Sequence, residues 1–159
     1  MTSVYVVDLP SLLRESSSLS EVLELLASAR RARGFEFFIP EDVFKEFVVR
    51  LLDRGKEREL VEKFSEVVAA VEPQGMEVRV PASMFMEYVK RLAKKFKRCE
   101  NGVEEKASEE LLGLEVALLA YELQARVVSC RKSTIEACEV LGVPCIGIEE
   151  LKAVIEERA

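Results

Sequence analysis

The chain has 159 residues, nearly half of them apolar and a third charged, with a net charge of −6. That suits one globular domain able to bury roughly two-thirds of its unfolded surface, and it excludes a disordered chain. The negative balance speaks against a whole-surface nucleic-acid binder but leaves room for a local basic face. No apolar stretch approaches the roughly 20 residues of a membrane span, and no signal-peptide pattern is visible, so a cytoplasmic protein without membrane contact is expected. The complete absence of histidine removes Ser-His-Asp and Cys-His catalysis. Cys99, Cys130, Cys138 and Cys145 show no CxxC spacing, so buried thiols are expected rather than a zinc site. One Asn and two Gln beside abundant Glu, Lys and Arg form a bias typical of hyperthermophile proteins.

In chain order, the apolar run Val4 to Val7 predicts a first strand over 4–8, ending on Asp8. Leu19, Val22, Leu23, Leu26 and Ala29 share one face of a helix over 19–33, which Gly34 stops. Phe35 to Ile39 predicts the second strand. Pro40 opens a helix with Glu41 and Asp42 in its first turn, favourable at a positive helix N-terminus. A further helix is predicted over 56–71, a third strand over 77–80 and a basic helix over 82–98. A long helix over 103–123 follows, acidic at first and then apolar. Strand four is expected at 126–130, a short helix at 133–141, strand five at 144–148 and a last helix at 149–157. Strands alternating with helices imply an α/β fold, a three-layer α/β/α arrangement around a mainly parallel sheet of about five strands. No repeat or linker interrupts the chain, so residues 1–159 are read as a single domain, with a short helical hairpin at about 82–112.

Three acids are candidates for chemistry. Asp8, one of only three aspartates against 26 glutamates, stands at the strand edge where open α/β sheets bind ligands. A turn or capping role is its plainer reading. Glu46 lies on the helix after strand two; the alternative is a surface pair with Arg50, four residues on. Glu115 sits within the apolar run from Leu111 to Ala120, where an ionised carboxylate is costly unless paired or bound to a metal. It can also lie on the polar margin of that helix. Three carboxylates converging on one edge would need a cation. With no histidine present, Mg²⁺ or Mn²⁺ is the natural choice, able to activate water for phosphodiester hydrolysis. The run Lys90 to Arg98 holds six cations, and helical spacing brings Lys90, Lys94, Lys97 and Arg98 near one stripe. With Lys95, these are candidate RNA contacts, and Arg131 is a further one at the strand edge. The competing role for the stripe is pairing with Glu104, Glu105, Glu109 and Glu110 on the following helix.

The order of these features resembles PIN-domain nucleases, and among them the RNA ligase partner proteins and the small protein-only RNase P enzymes of archaea and some bacteria. Val6-Val7-Asp8 resembles the family's first strand and catalytic Asp. Phe38-Ile39-Pro40 with Val43-Phe44-Lys45-Glu46 resembles its strand-Pro-helix segment with an acid. Residues 77–81 followed by Glu87-Tyr88 resemble the next strand and helix. The stretch from Glu115 to Ser129 resembles the family's Asp-containing helix followed by a Val-Val-Ser/Thr strand, and residues 137–147 its closing helix and strand.

The resemblance implies a PIN-like fold, RNA as substrate class (a tRNA precursor or another structured RNA), and a metal held by Asp8, Glu46 and Glu115. The chain departs from the family pattern at three places. Leu9 and Pro10 follow the first Asp in place of small polar residues. Gly113 and Glu115 stand at the family's Asp-x-Asp. Arg131 stands where an acid is expected; reaching into the cluster, it would plug it. Two functions follow: a metal-dependent endoribonuclease, or a catalytically degenerate PIN-like domain serving as an RNA-binding or protein-interaction module. A homodimer or a protein partner is compatible with either.

Overall fold

The computed structural model describes residues 3–12, 19–53, 58–71 and 103–157. The strand expected at 77–80, the basic helix at 82–98 and most of the 82–112 hairpin lie outside the described residues. Five strands are described: β1 (Ser3–Val7), β2 (Phe35–Pro40), β3 (Val68–Val71), β4 (Arg126–Val128) and β5 (Cys145–Ile146). They form one sheet in the order β3-β2-β1-β4-β5, with every neighbouring pair parallel. The helices are α1 (Leu9–Leu12), α2 (Leu19–Arg33), α3 (Glu41–Asp53), α4 (Arg58–Val67), α5 (Val103–Leu123), α6 (Lys132–Leu141) and α7 (Ile148–Glu157). The result is the expected three-layer α/β/α architecture, with a sheet that is wholly parallel.

At the centre of the sheet Val6 and Val7 of β1 and Val127 and Val128 of β4 are fully buried, so both faces are apolar there, as a sheet covered by helices on both sides requires. Tyr5, Phe35 and Phe37 stack across β1 and β2 with ring centroids 5.9–6.2 Å apart. On α3, Val43, Phe47 and Leu51 recur every four residues and are fully buried, and Phe47 meets Phe64 of α4 edge-on at 5.1 Å. That packing fixes the rotation of α3 and so the direction in which Glu46, one position before Phe47, is presented. Helix α5 buries Val116, Ala117, Leu119 and Ala120, lies over β1, β2 and β4, and is seamed along α6.

Two elements differ from the sequence expectation. Residues 9–12 form a short helix, with the Ser11 backbone N–H donating to Asp8 O at 3.1 Å. The helix expected to run to residue 71 stops at Val67, and Val68–Val71 pairs with Phe37–Pro40 as β3. The run Val67-Val68-Ala69-Ala70-Val71 fits either period, and the open edge of β2 decides it.

Chain order reverses direction across the sheet between β1 and β4. Their C-terminal ends therefore flank the switch-point crevice at which doubly wound sheets bind ligands. One close approach tightens this edge. A Cβ added to Gly113 of α5 would lie 2.9 Å from Ser133 C, Ser133 Oγ and Thr134 N at the start of α6. Glycine is what lets the two helices meet there. Gly113→Ala should destabilise the fold by about 2 kcal/mol, since the overlap is with backbone and outweighs the roughly 1 kcal/mol gained in helix propensity. Gly147→Ala, where an added Cβ meets nothing within 4 Å, should stay within about 0.5 kcal/mol of the parent. Urea denaturation of both variants checks the contrast.

Candidate functional site: an arginine-bridged carboxylate centre

Asp8 follows β1 directly, and its backbone N–H donates to Val128 O at 2.9 Å, which carries the β1–β4 ladder up to the edge. Its side chain is wholly buried, at 0% exposure. An ionised carboxylate there needs several donors, and four reach it. Ser129 Oγ and Thr134 Oγ1 donate to Oδ2 at 2.7 and 2.9 Å. Arg131 Nε donates to Oδ2 at 3.1 Å and Arg131 Nη2 to Oδ1 at 2.9 Å. The last two form a bidentate guanidinium–carboxylate pair, the strong geometry for this contact.

The other edge of the same guanidinium is turned to Glu46. Nη2 donates to Oε1 at 2.7 Å and Nη1 to Oε2 at 3.3 Å. Arg50, one turn on along α3, closes the far side of Glu46 at 2.8 Å. Two carboxylates and two guanidinium groups thus form a neutral chain from the core to the rim. Burial works against the charge on Arg131, but Asp8 and Glu46 more than offset it and hold the group above its ordinary pKa. Arg131 occupies the N-cap of α6 without capping it by its side chain. Its backbone N–H is held by Ser129 Oγ at 3.0 Å, which aims the side chain inward.

A second polar layer supports this one. Ser11 Oγ donates to Asp8 O at 2.8 Å and accepts from the Cys130 N–H at 3.2 Å. The Cys130 thiol donates to Ser11 O at 2.9 Å. The dent in the surface between Pro10, Ser11, Arg50, Cys130 and Arg131 measures only about 10 Å³, the bare minimum for one water.

Glu115 is placed elsewhere. It pairs with Asp42 in the first turn of α3. Desolvation, followed by the charge and hydrogen bond of Asp42, pushes its pKa up to about 7. Its Oε2 is buried without a hydrogen-bond partner. The raised pKa shifts Glu115 toward its protonated form, which lowers the cost of burying the carboxyl.

The expected three-carboxylate cluster is therefore not assembled. Asp8 and Glu46 converge, Glu115 does not join them, and Arg131 stands between the two that do. Among the described residues no group of three acids or cysteines is arranged to hold a metal ion. A divalent cation does not fit this donor set, because both oxygens of Asp8 are committed and the local charge is already balanced. Arg131, expected as an RNA contact, is 5% exposed and directs its side-chain donors to Asp8 and Glu46. Lys90, Lys94, Lys95, Lys97 and Arg98 lie outside the described residues. Sequence reasoning missed Ser129 and Thr134 as donors to Asp8. The signal available was their spacing around Arg131, two residues before it and three after.

A family model described as "PINc domain ribonuclease" matches residues 8–112, more than half of the chain. The chain belongs to the PINc-domain ribonuclease family. The matched segment begins at Asp8 itself and contains Glu46. Nucleases of this family generally use divalent metal ions. Among solved structures, the chain is similar to a PilT N-terminus domain protein from the hyperthermophilic archaeon Sulfolobus solfataricus P2. The identity is 19%, with 96% of this chain and 92% of that one covered and a TM-score of 0.49. No curated protein matches. No described helix is long and apolar enough to cross a membrane.

Two outcomes follow for this PIN domain. Arg131→Ala leaves the buried Asp8 without its counter-charge and should cost about 3–5 kcal/mol in urea unfolding. Glu115 holds its proton in the folded state up to about pH 7, against an ordinary value of 4.5. Between those values the folded state binds the extra proton. Stability should therefore fall as pH rises through that window and level off above it. Solvent screening at this partly buried side chain limits the effect to on the order of 1 kcal/mol. Denaturation midpoints from about pH 4 to about 8 should show the slope in the parent and lose it in Glu115→Gln.

Proposed function

We propose that this PIN domain is an RNA-binding module of RNA processing whose carboxylate centre is closed by its own arginine and does not hydrolyse phosphodiesters. The observation that carries this reading is the Arg131 guanidinium bridging Asp8 and Glu46. It satisfies both acids, cancels their charge and fills the space between them. Family membership supports RNA as the ligand. The cationic run from Lys90 to Arg98 is the stretch of sequence suited to phosphate contacts, with affinity that falls as salt rises. Kinship with RNA ligase partner proteins and small protein-only RNase P enzymes belongs to the same proposal, as do a structured RNA such as a tRNA precursor as ligand and an archaeal, thermophilic, cytoplasmic setting.

The second reading is a metal-dependent endoribonuclease in which Asp8, Glu46 and Glu115 act with Mg²⁺ or Mn²⁺. The convergence of Asp8 and Glu46 at the switch point favours it, and it requires Arg131 to leave. One experiment separates the two. Precursor tRNA is incubated with Mg²⁺ or Mn²⁺ and either wild type or Asp8→Asn, and cleavage and retention are both measured. Neither protein should cleave. Wild type should retain the RNA, and substituting one phosphate-contacting Lys by Ala should lower the salt slope of binding by about one unit. Metal-dependent cleavage lost in Asp8→Asn would establish the nuclease instead. Absence of both cleavage and binding would point to a protein-interaction role.

A further inference from the structure

Helices α5 and α6 end in the same way. In α5 the Gln124 N–H donates to Tyr121 O at 3.3 Å and the Ala125 N–H to Ala120 O at 2.8 Å. In α6 the Gly142 N–H donates to Glu139 O at 3.4 Å and the Val143 N–H to Cys138 O at 2.9 Å. Each pair of bonds closes its helix through one residue in the left-handed conformation, Gln124 at φ 55° and Gly142 at φ 71°. Glycine adopts that conformation freely, whereas a side chain there costs stability. Gln124 alone among the described residues other than glycine has a positive φ, so its side chain is kept against the preference of the turn. Such an outlier is a reason to look for a ligand beside it. Both turns open onto one pocket of about 580 Å³, within the roughly 300–1,000 Å³ of small-molecule sites. Tyr121, Gln124, Arg126 and Pro144 line it together with the buried Ala125 and Val143. Arg126 opens β4, and Ser129 follows the other end of that strand. The pocket therefore lies at the edge of the sheet opposite Asp8.

We propose that this pocket is a binding site for an adenine nucleotide. Three kinds of side chain meet there. The Gln124 amide carries a donor beside an acceptor, the complement of adenine N7 and N6. Tyr121, half-buried, offers a ring against which the base stacks. Arg126, exposed at the start of β4, supplies a guanidinium for the phosphate. The carbonyl ends of two helices meet on this side of the sheet, and their negative partial charge disfavours a phosphate held deep in the pocket. The phosphate therefore stays at the rim with Arg126, and the base goes inward against the apolar lining. An adenosine phosphate of this kind occurs both as a free nucleotide and at the end of an RNA strand. Nothing in the proposal depends on Arg131 or on whether the acidic edge cleaves RNA.

The whole chain is titrated by calorimetry with AMP, adenosine, UMP and hexaadenylate. AMP should bind saturably at one site per chain, with UMP roughly tenfold weaker for want of the adenine edge and adenosine roughly tenfold weaker for want of the phosphate. Gln124→Gly should weaken AMP roughly tenfold yet keep Tm or raise it, because glycine relieves the left-handed turn. A purely structural glutamine would move Tm and leave the affinity unchanged. Arg126→Ala, on the exposed rim, should remove the advantage of AMP over adenosine. Hexaadenylate bound as tightly as AMP, and weakened as much by Gln124→Gly, assigns the site to a strand end; AMP bound alone assigns it to a free nucleotide. No saturable binding of AMP at millimolar concentration, or AMP binding that neither substitution weakens, would overturn the proposal.

Discussion

A carboxylate with no exposure to water must find its counter-charge within the protein, and at Asp8 that requirement organises the whole C-terminal edge of the sheet. The strand that precedes it is too buried to let it turn to solvent. Its four donors come from the end of β4 and the first turn of α6, so satisfying one side chain joins segments more than 120 residues apart in sequence. Removing one member of such an ion pair costs more than its formation gains, because the partner is left charged in the interior. The interaction therefore matters more for which structure forms at this edge than for how stable the domain is. Glu46 and Arg50 extend the same charge alternation outward until it reaches water.

Two departures from the family pattern belong together in this light. Gly113 stands where the resemblance implies an acid, and a Cβ added there would lie 2.9 Å from Ser133 and Thr134 at the start of α6. A carboxylate-bearing side chain would run into the Ser133–Thr134 backbone and hold α6 away. With glycine, α6 comes in, and Thr134 and Arg131 reach Asp8. Gly113 and Arg131 thus belong to one contact region, where α5 meets the start of α6. Glu115 is pushed toward its protonated form by burial and by Asp42, whose position in the first turn of α3 favours the negative charge.

Much of the fold was legible because its elements are short apolar runs punctuated by Gly and Pro: β1, α2, β2, α3 and the α6–β5 return follow from those signals. The stretch from Val67 to Val71 was not, since its pattern fits two periods and the pairing with β2 selects one. In the site, Asp8 and Glu46 could be read because each sits beside an element whose buried face is unambiguous. The burial cost of Glu115 was visible, but the choice between a metal, a proton and the helix margin depends on which helix faces it. Arg131 was visible as a cation at the edge. How deeply it is buried depends on a helix-to-helix distance set by Gly113, which no local pattern encodes.

The account turns on whether the Arg131 guanidinium holds its place between Asp8 and Glu46 when a divalent ion is offered. Crystals grown without metal and soaked in Mn²⁺, with anomalous diffraction recorded at the manganese edge, test this directly. The account requires Arg131 to remain on both carboxylates with no anomalous peak between them. A peak ligated by Asp8, with the arginine turned out to solvent, would contradict it and make the guanidinium a gate over a working metal centre.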